Sequence, residues 1–308
     1  MENVLQVLQD KVSCLQDAIQ IEKLDKGYSL DKKYIVYFSD KKYVLRIGDR
    51  NGYEKKKSEF QILKRMQQYP VHSPQPIDIG ILSEFNVCYT IYSYIEGVDV
   101  KTALHTLTEK EQYKIGTEAG RKLSSMHLLE APPALNSWYE RAMAKHDRYI
   151  EAYKTCGIKI ENDDKILRFI EKNKHLLKER PNRFQHDDFH LENIIVDNNR
   201  YAGVIDFNNF DWGDPLHDFV KVALFQRESS IPFSMGQIEG YFNKKVPETF
   251  WMLYSIYAAM VVFSSVVWSL RFAPEQLDEM MERIHMIIED HKSFELLKPV
   301  WVEPSLIM

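Results

Sequence analysis

Apolar residues recur at Val4, Leu5, Leu8, Val12, Leu15 and Ile19, the spacing of one helix face over residues 3–20. The pattern then changes. Tyr34-Ile35-Val36-Tyr37-Phe38 and Tyr43-Val44-Leu45-Arg46-Ile47 are β-rich runs joined by Ser39-Asp40-Lys41-Lys42, which predicts a hairpin. Residues 54–68 return to helical spacing, with Phe60, Leu63 and Met66 on one face. Runs 77–82 and 87–95 are two further strand candidates, ended by Glu96-Gly97.

Beyond Gly97 the texture becomes helical. Thr108-Glu109-Lys110-Glu111 has the form of a capping box, opening a helix that turns Tyr113, Ala119, Leu123 and Met126 towards a core. Helix-like stretches follow over 137–155 and 163–178. A β-rich island interrupts them: Asn193-Ile194-Ile195-Val196, a turn at Asp197-Asn198-Asn199, then 201–207. Residues 214–297 are again mostly helical, with no internal repeat. The pattern predicts an α+β fold with a small N-terminal sheet lobe over 1–96, a hinge near 93–97, and a larger, mainly helical lobe over 97–308.

The run 250–270 carries no charge for 21 residues, long enough for a membrane span. It also holds Ser255, Ser264, Ser265, Ser269 and two tyrosines, and no second span accompanies it, so a buried core helix is expected. Composition fits an ordinary globular chain: 44% apolar, 28% charged, net charge −5 over 308 residues. Nothing marks the basic surface that nucleic acid requires. Cys14, Cys88 and Cys156 are odd in number and far apart, and no disulfide framework or metal knuckle can be read from them. Free thiols, and an N-terminus without a basic segment leading into an apolar one, give a cytoplasmic expectation.

The chemistry concentrates in His186-Asp187-Asp188-Phe189-His190-Leu191-Glu192-Asn193, followed 13 residues later by Asp206 in Ile205-Asp206-Phe207. Phosphoryl transfer needs a carboxylate to accept a hydroxyl proton, and an amide oxygen with a second carboxylate to hold hard Mg²⁺ ions on phosphates. Asp188, Asn193 and Asp206 are those residue types at a suitable spacing. Any one of them alone would more often serve a turn. Their conjunction, between predicted strands inside a helical region, is what points to catalysis.

This stretch resembles the catalytic loop of the aminoglycoside phosphotransferase and choline kinase-like superfamily, similar in fold to protein kinases. The pattern H-x-D-x-H-x-x-N is met by His186, Asp188, His190 and Asn193, and Gly213-Asp214-Pro215-Leu216-His217-Asp218 fits G-D-P-x-x-D. Leu123-Ser124-Ser125-Met126-His127 resembles the family's L-x-x-L-H helix end. Protein kinases carry Arg before the catalytic Asp and Gly after the metal-binding Asp-Phe; Asp187 and Asn208 stand here, which favours a small-molecule kinase. The resemblance implies a two-lobed protein-kinase-like fold. It implies Asp188 as catalytic base, Asn193 and Asp206 as Mg²⁺ ligands, and His186, His190 and Asp218 as supports of the loop. It puts Arg46 on the α- and β-phosphates with Glu59 as ion-pair partner, Glu54 competing. Gly27 and Ser29, in Lys26-Gly27-Tyr28-Ser29, match a reduced phosphate-covering loop. In the hinge, the Ser93 carbonyl and Ile95 N–H would meet the nucleobase. Tyr92 would stand behind it, a bulk that disfavours adenine and permits guanine, so the donor is ATP or GTP.

Acceptor-side matches are absent. Asp187, Glu192 and Asp211, with Trp268 as a wall, are candidates for a cationic or sugar-like small molecule. The leading expectation is an aminoglycoside O-phosphotransferase, an antibiotic-resistance kinase. A metabolic kinase of choline, homoserine, methylthioribose or a ketosamine is the alternative. A kinase-fold binding protein without turnover is a third reading, against which the intact Asp188, Asn193 and Asp206 argue. No nucleic-acid or membrane partner is expected, and a monomer or weak dimer is.

Overall fold

The structure, a computed structural model, describes residues 2–25 and 31–302. Gly27 and Ser29 lie outside the described residues. The chain divides into two units. The first runs from the N-terminus to Gly97 and also takes in Ala202–Asn208; the second comprises Val98–Tyr201 and the chain from Asn209 onward.

In the first unit, helix α1 (Glu2–Lys11) ends early and a 3₁₀ turn (Ser13–Leu15) leads into strand β1 (Gln20–Leu24). The single helix expected over 3–20 is thus a helix, a turn and the approach to an edge strand. Apolar spacing runs on smoothly through Leu15 to Ile19, and no Gly or Pro marks the reversal; Ile19 is 70% exposed. Strands β2 (Lys32–Tyr37) and β3 (Lys42–Asp49) form the predicted hairpin. Helix α2 (Tyr53–Met66) follows, then β4 (Pro76–Leu82) and β5 (Val87–Ser93). The antiparallel sheet has the order β1-β2-β3-β5-β4.

Side-chain alternation divides the work of this sheet. Val36, Leu45, Ile47 and Ile91 join Val4, Leu8, Val12 and Leu15 in one apolar cluster. The intervening positions face the other way: Arg46 pairs with Thr90 and Val44 with Tyr92 across β3 and β5. There the Phe60 ring of α2 lies 6.1 Å from the Tyr92 ring. The segment 202–208 is stitched in by the Val204 N–H, which donates to His72 O at 2.9 Å. Its neighbour Gly203 has no room for a side chain, since a Cβ would fall 2.9 Å from His72 O and 2.7 Å from Ile95 Cδ1.

The second unit opens with a short β6 (Val98–Asp99) and α3 (Val100–Ala103), then α4 (Glu109–Met126). The capping box is present: the Glu111 N–H donates to Thr108 Oγ1 and the Thr108 N–H to Glu111 Oε2. Helices α5 (Trp138–Lys154) and α6 (Asp163–Asn173) follow. Next come β7 (Arg183–Gln185), β8 (Ile194–Asp197) and β10 (Asp211–Gly213), while β9 (Arg200–Val204) begins in this unit and ends in the first. Strands β7 and β10 pair antiparallel, Gln185 opposite Asp211. The chain ends in α7 (Ile231–Tyr241), α8 (Glu248–Phe272) and α9 (Leu277–Asp290).

Helices α4 and α7 touch main chain to main chain. A Cβ on Gly116, Gly120, Gly236 or Gly240 would fall within 2.0–2.2 Å of a carbonyl oxygen on the facing helix. Helix α8 is long and apolar enough to cross a membrane, yet 78% of its most apolar window is buried, the mark of a core helix. It packs against α5, α6 and α9.

Candidate active site

In the first unit, β3 and α2 bring Arg46 and Glu59 together on the face opposite the apolar cluster. Arg46 Nη1 donates to Glu59 Oε1 at 2.9 Å, both side chains buried. Glu54, the competing acid, stands at the surface near Lys57. Arg46 Nη2 also lies 3.4 Å from Asp31 Oδ2, which in turn pairs closely with Lys56. Burial works against the Arg46 charge, but Glu59, Asp206 and Asp31 outweigh it and raise its proton affinity. Burial pushes the Glu59 carboxyl up, and Arg46 acts against that shift. Asp206 belongs to this unit and holds a left-handed backbone, φ +65°.

At the end of β5 the Ser93 N–H donates to Gln75 O at 2.9 Å and the Tyr94 N–H to Lys42 O at 3.0 Å. Among the described residues the Ile95 N–H has no backbone acceptor. Tyr92 is buried on the Arg46 face, and burial raises its phenol well above the ordinary value.

In the second unit, β7 delivers the chain into the loop 186–193. His186 is fully buried with its ring edge-on to Phe189. Asp187 has φ +58°, a left-handed turn that redirects the chain to Asp188. The Asn193 side-chain amide donates to Asp188 O at 2.9 Å and to Asp188 Oδ2 at 3.1 Å. With its nitrogen so used, Asn193 keeps Oδ1 without a partner among the described residues, which suits a hard-cation ligand. His190 Nε2 lies 3.3 Å and Lys221 Nζ 3.1 Å from Asp188 Oδ1. Burial alone would raise the Asp188 carboxyl. The His190 hydrogen bond and the Lys221 charge overcome it and hold the group well below the usual carboxylate range.

Asp218 grips the start of this loop. Its carboxylate accepts the His186 N–H at 2.8 Å and the Asp187 N–H at 2.7 Å, and His127 Nε2 lies 3.0 Å away. Asp214 is fixed in turn by Arg180 through two hydrogen bonds of 2.6 and 2.8 Å and by the Tyr257 hydroxyl at 2.7 Å.

The acceptor-side candidates are not brought together. Asp187 faces His217 Nδ1 at 3.5 Å, Glu192 takes Lys101 at 2.6 Å, and Asp211 pairs with Arg141 at 3.3 Å. Trp268, 44% exposed near the end of α8, has Phe272 as its ring partner. Sequence reasoning missed Lys221, Lys56 and Asp31. The only signal for Lys221 is its position three residues after Asp218.

The phosphotransferase enzyme family model matches residues 20–251 of the chain. No curated protein matches the sequence. Among solved structures, a thermostable mutant of aminoglycoside phosphotransferase APH(4)-Ia, in a ternary complex with AMP-PNP and hygromycin B, superposes with a TM-score of 0.71. The two are 18% identical, over 95% of this chain and 99% of that one. The GDP complex of wild-type aminoglycoside 2'-phosphotransferase-IIIa gives 0.70 at 14% identity, over 93% and 97%. The gentamicin complex of APH(2")-IIa gives 0.66 at 18%, over 92% and 96%. At such identities the likeness is one of fold. The family match, by contrast, takes in roughly three quarters of the sequence, so the chain belongs to the phosphotransferase enzyme family and is a phosphotransferase with an alcohol group as acceptor.

Proposed function

We propose that this phosphotransferase is a Mg²⁺-dependent small-molecule kinase that moves the γ-phosphoryl of ATP or GTP in line onto a substrate hydroxyl. The observation that carries the reading is the Asp188 carboxylate, held ionised by Lys221 and His190, beside an Asn193 amide whose oxygen is left over. The acceptor hydroxyl gives its proton to Asp188 as the new O–P bond forms. The bond to the β-phosphate oxygen breaks, and the nucleoside diphosphate leaves. Arg46, held by Glu59, clamps the α- and β-phosphates. Asn193 and Asp206 would hold Mg²⁺; when bound, the ion neutralises charge on the phosphates.

An aminoglycoside is the first acceptor to test, supported by the fold shared with enzymes solved with gentamicin or hygromycin B. One observation favours the metabolic alternative. Glu192 and Asp211 already pair with Lys101 and Arg141, so ammonium groups would have to displace resident cations there, and Asp187 faces the His217 ring.

The test is diphosphate release from Mg²⁺–ATP and Mg²⁺–GTP against aminoglycosides, choline, homoserine, methylthioribose and ketosamines. Stimulation by a subset of aminoglycosides makes this a resistance kinase. Stimulation by a metabolite alone makes it metabolic. Tight nucleotide binding with no release under any condition would leave the binding-protein reading. With Tyr92 at the back of the nucleobase site, GTP should serve at least as well as ATP. A Tyr92→Ala variant should then shift use towards ATP.

A further inference from the structure

We infer that Lys221 is a positioning residue for the transfer: it fixes the Asp188 carboxylate in the rotation that receives the acceptor proton. The inference rests on Asp188 being the base. Both carboxylate oxygens are engaged, and Lys221 shares Oδ1 with His190 Nε2 at 3.3 Å. Lys221 Nζ lies 3.1 Å from Oδ1, and the Asn193 amide donates to Oδ2 at 3.1 Å, so the plane of the carboxylate is defined from both sides.

The Lys221 side chain is only 18% exposed, unlike the solvent-screened ion pairs of the surface. It is delivered by an irregular element. Residues Val222–Gln226 form a π-helical turn, closed by the Arg227 N–H on Val222 O at 2.9 Å. Such π-helical turns are rare overall and frequent at functional sites.

Here the turn reaches the catalytic loop at three points. Lys221 meets Asp188. The Phe225 ring lies 5.5 Å from the His190 ring. The buried Gln226 Nε2 donates to Phe189 O at 2.9 Å. The Phe225 ring carries two cations, Lys221 Nζ at 5.5 Å and the Arg283 guanidinium at 5.1 Å from its centre. Lys221 Nζ is thus held between the Phe225 ring and the Asp188 carboxylate, as a group that sets another's orientation must be.

The experiment measures steady-state diphosphate release from Mg²⁺–ATP and Mg²⁺–GTP, with water as acceptor and with any acceptor that stimulates it. It compares wild type, K221M, K221R, D188N and the double variant K221M/D188N, with melting temperatures alongside. Lys221→Met should lower kcat by about 10- to 100-fold while the nucleotide KM stays within about twofold, since only the placement of the base is lost. Lys221→Arg should recover most of that loss. In the Asp188→Asn background, Lys221→Met should cost nothing further, because both changes act through one carboxylate.

Wild-type kcat in K221M overturns the inference. So does a loss that appears in full on top of D188N, or one that tracks a lowered melting temperature and is not recovered by Arg. An Asp188→Asn variant as active as wild type, or a wild type that releases no diphosphate, sinks the reading of Asp188 on which the inference stands.

Discussion

At the scale of single residues, the Asp188–Asn193 contact was legible because the spacing is local: one loop brings the Asn193 amide onto the Asp188 carboxylate. Lys221, Asp31 and Lys56 were illegible for the converse reason: they meet their partners across long separations, and an isolated Lys or Asp carries no period. Replacing Asp188 by Asn should cut turnover by about 10²-fold or more and leave nucleotide affinity near wild type. Turnover that survives the change would remove Asp188 from the chemistry. Arg46 offers a different test, because Glu59 is buried against it. Arg46→Met should lose nucleotide affinity and also about 3 kcal/mol of stability, from the stranded carboxylate. Adding Glu59→Gln should restore the stability and not the affinity. Denaturant titration beside nucleotide binding separates the two effects.

At the scale of elements, the pattern gave the β2–β3 hairpin, α2 and the capped α4, whose apolar spacings are long and regular. It did not give β1, β7 or β10. Strand β1 begins only where the helical spacing of residues 3–20 runs out and carries no apolar alternation, and strands of three residues such as β7 and β10 have none to read. Yet β7 and β10 bring the loop 186–193 beside the Asp214–Asp218 turn, so a decisive part of the site was invisible to periodicity. The α4–α7 contact has a sign that tests it. Gly→Ala inside a helix ordinarily stabilises by up to about 1 kcal/mol. At Gly120 or Gly240 the new methyl would strike the facing main chain. Each change should therefore lower the melting temperature, at an overpacking cost of about 1–3 kcal/mol. A neutral or raised melting temperature would refute the main-chain contact.

At the scale of the whole molecule, stability should fall in mild acid. His291 is buried, stacked on the Phe294 ring, and its imidazole is pushed down to about 4 by loss of solvation. Between roughly pH 6.5 and 4 the unfolded chain binds a proton that the folded chain refuses, so unfolding becomes easier as pH drops. The full effect of such a shift is about 3 kcal/mol. Urea midpoints should decline from pH 7 to 5, and His291→Gln should flatten part of that decline; an unchanged slope would exclude His291 as its source. Helix α8 adds a constraint on biosynthesis. Its charges are confined to Glu248 and Arg271, and the helices that cover it come from both sides of it in the chain, α5 and α6 before, α9 after. A growing chain exposes this sticky rod until its last cover is synthesised, a setting that invites aggregation. Refolding yield should drop steeply with protein concentration, and a chain cut after residue 272 should scatter light where the full chain stays clear.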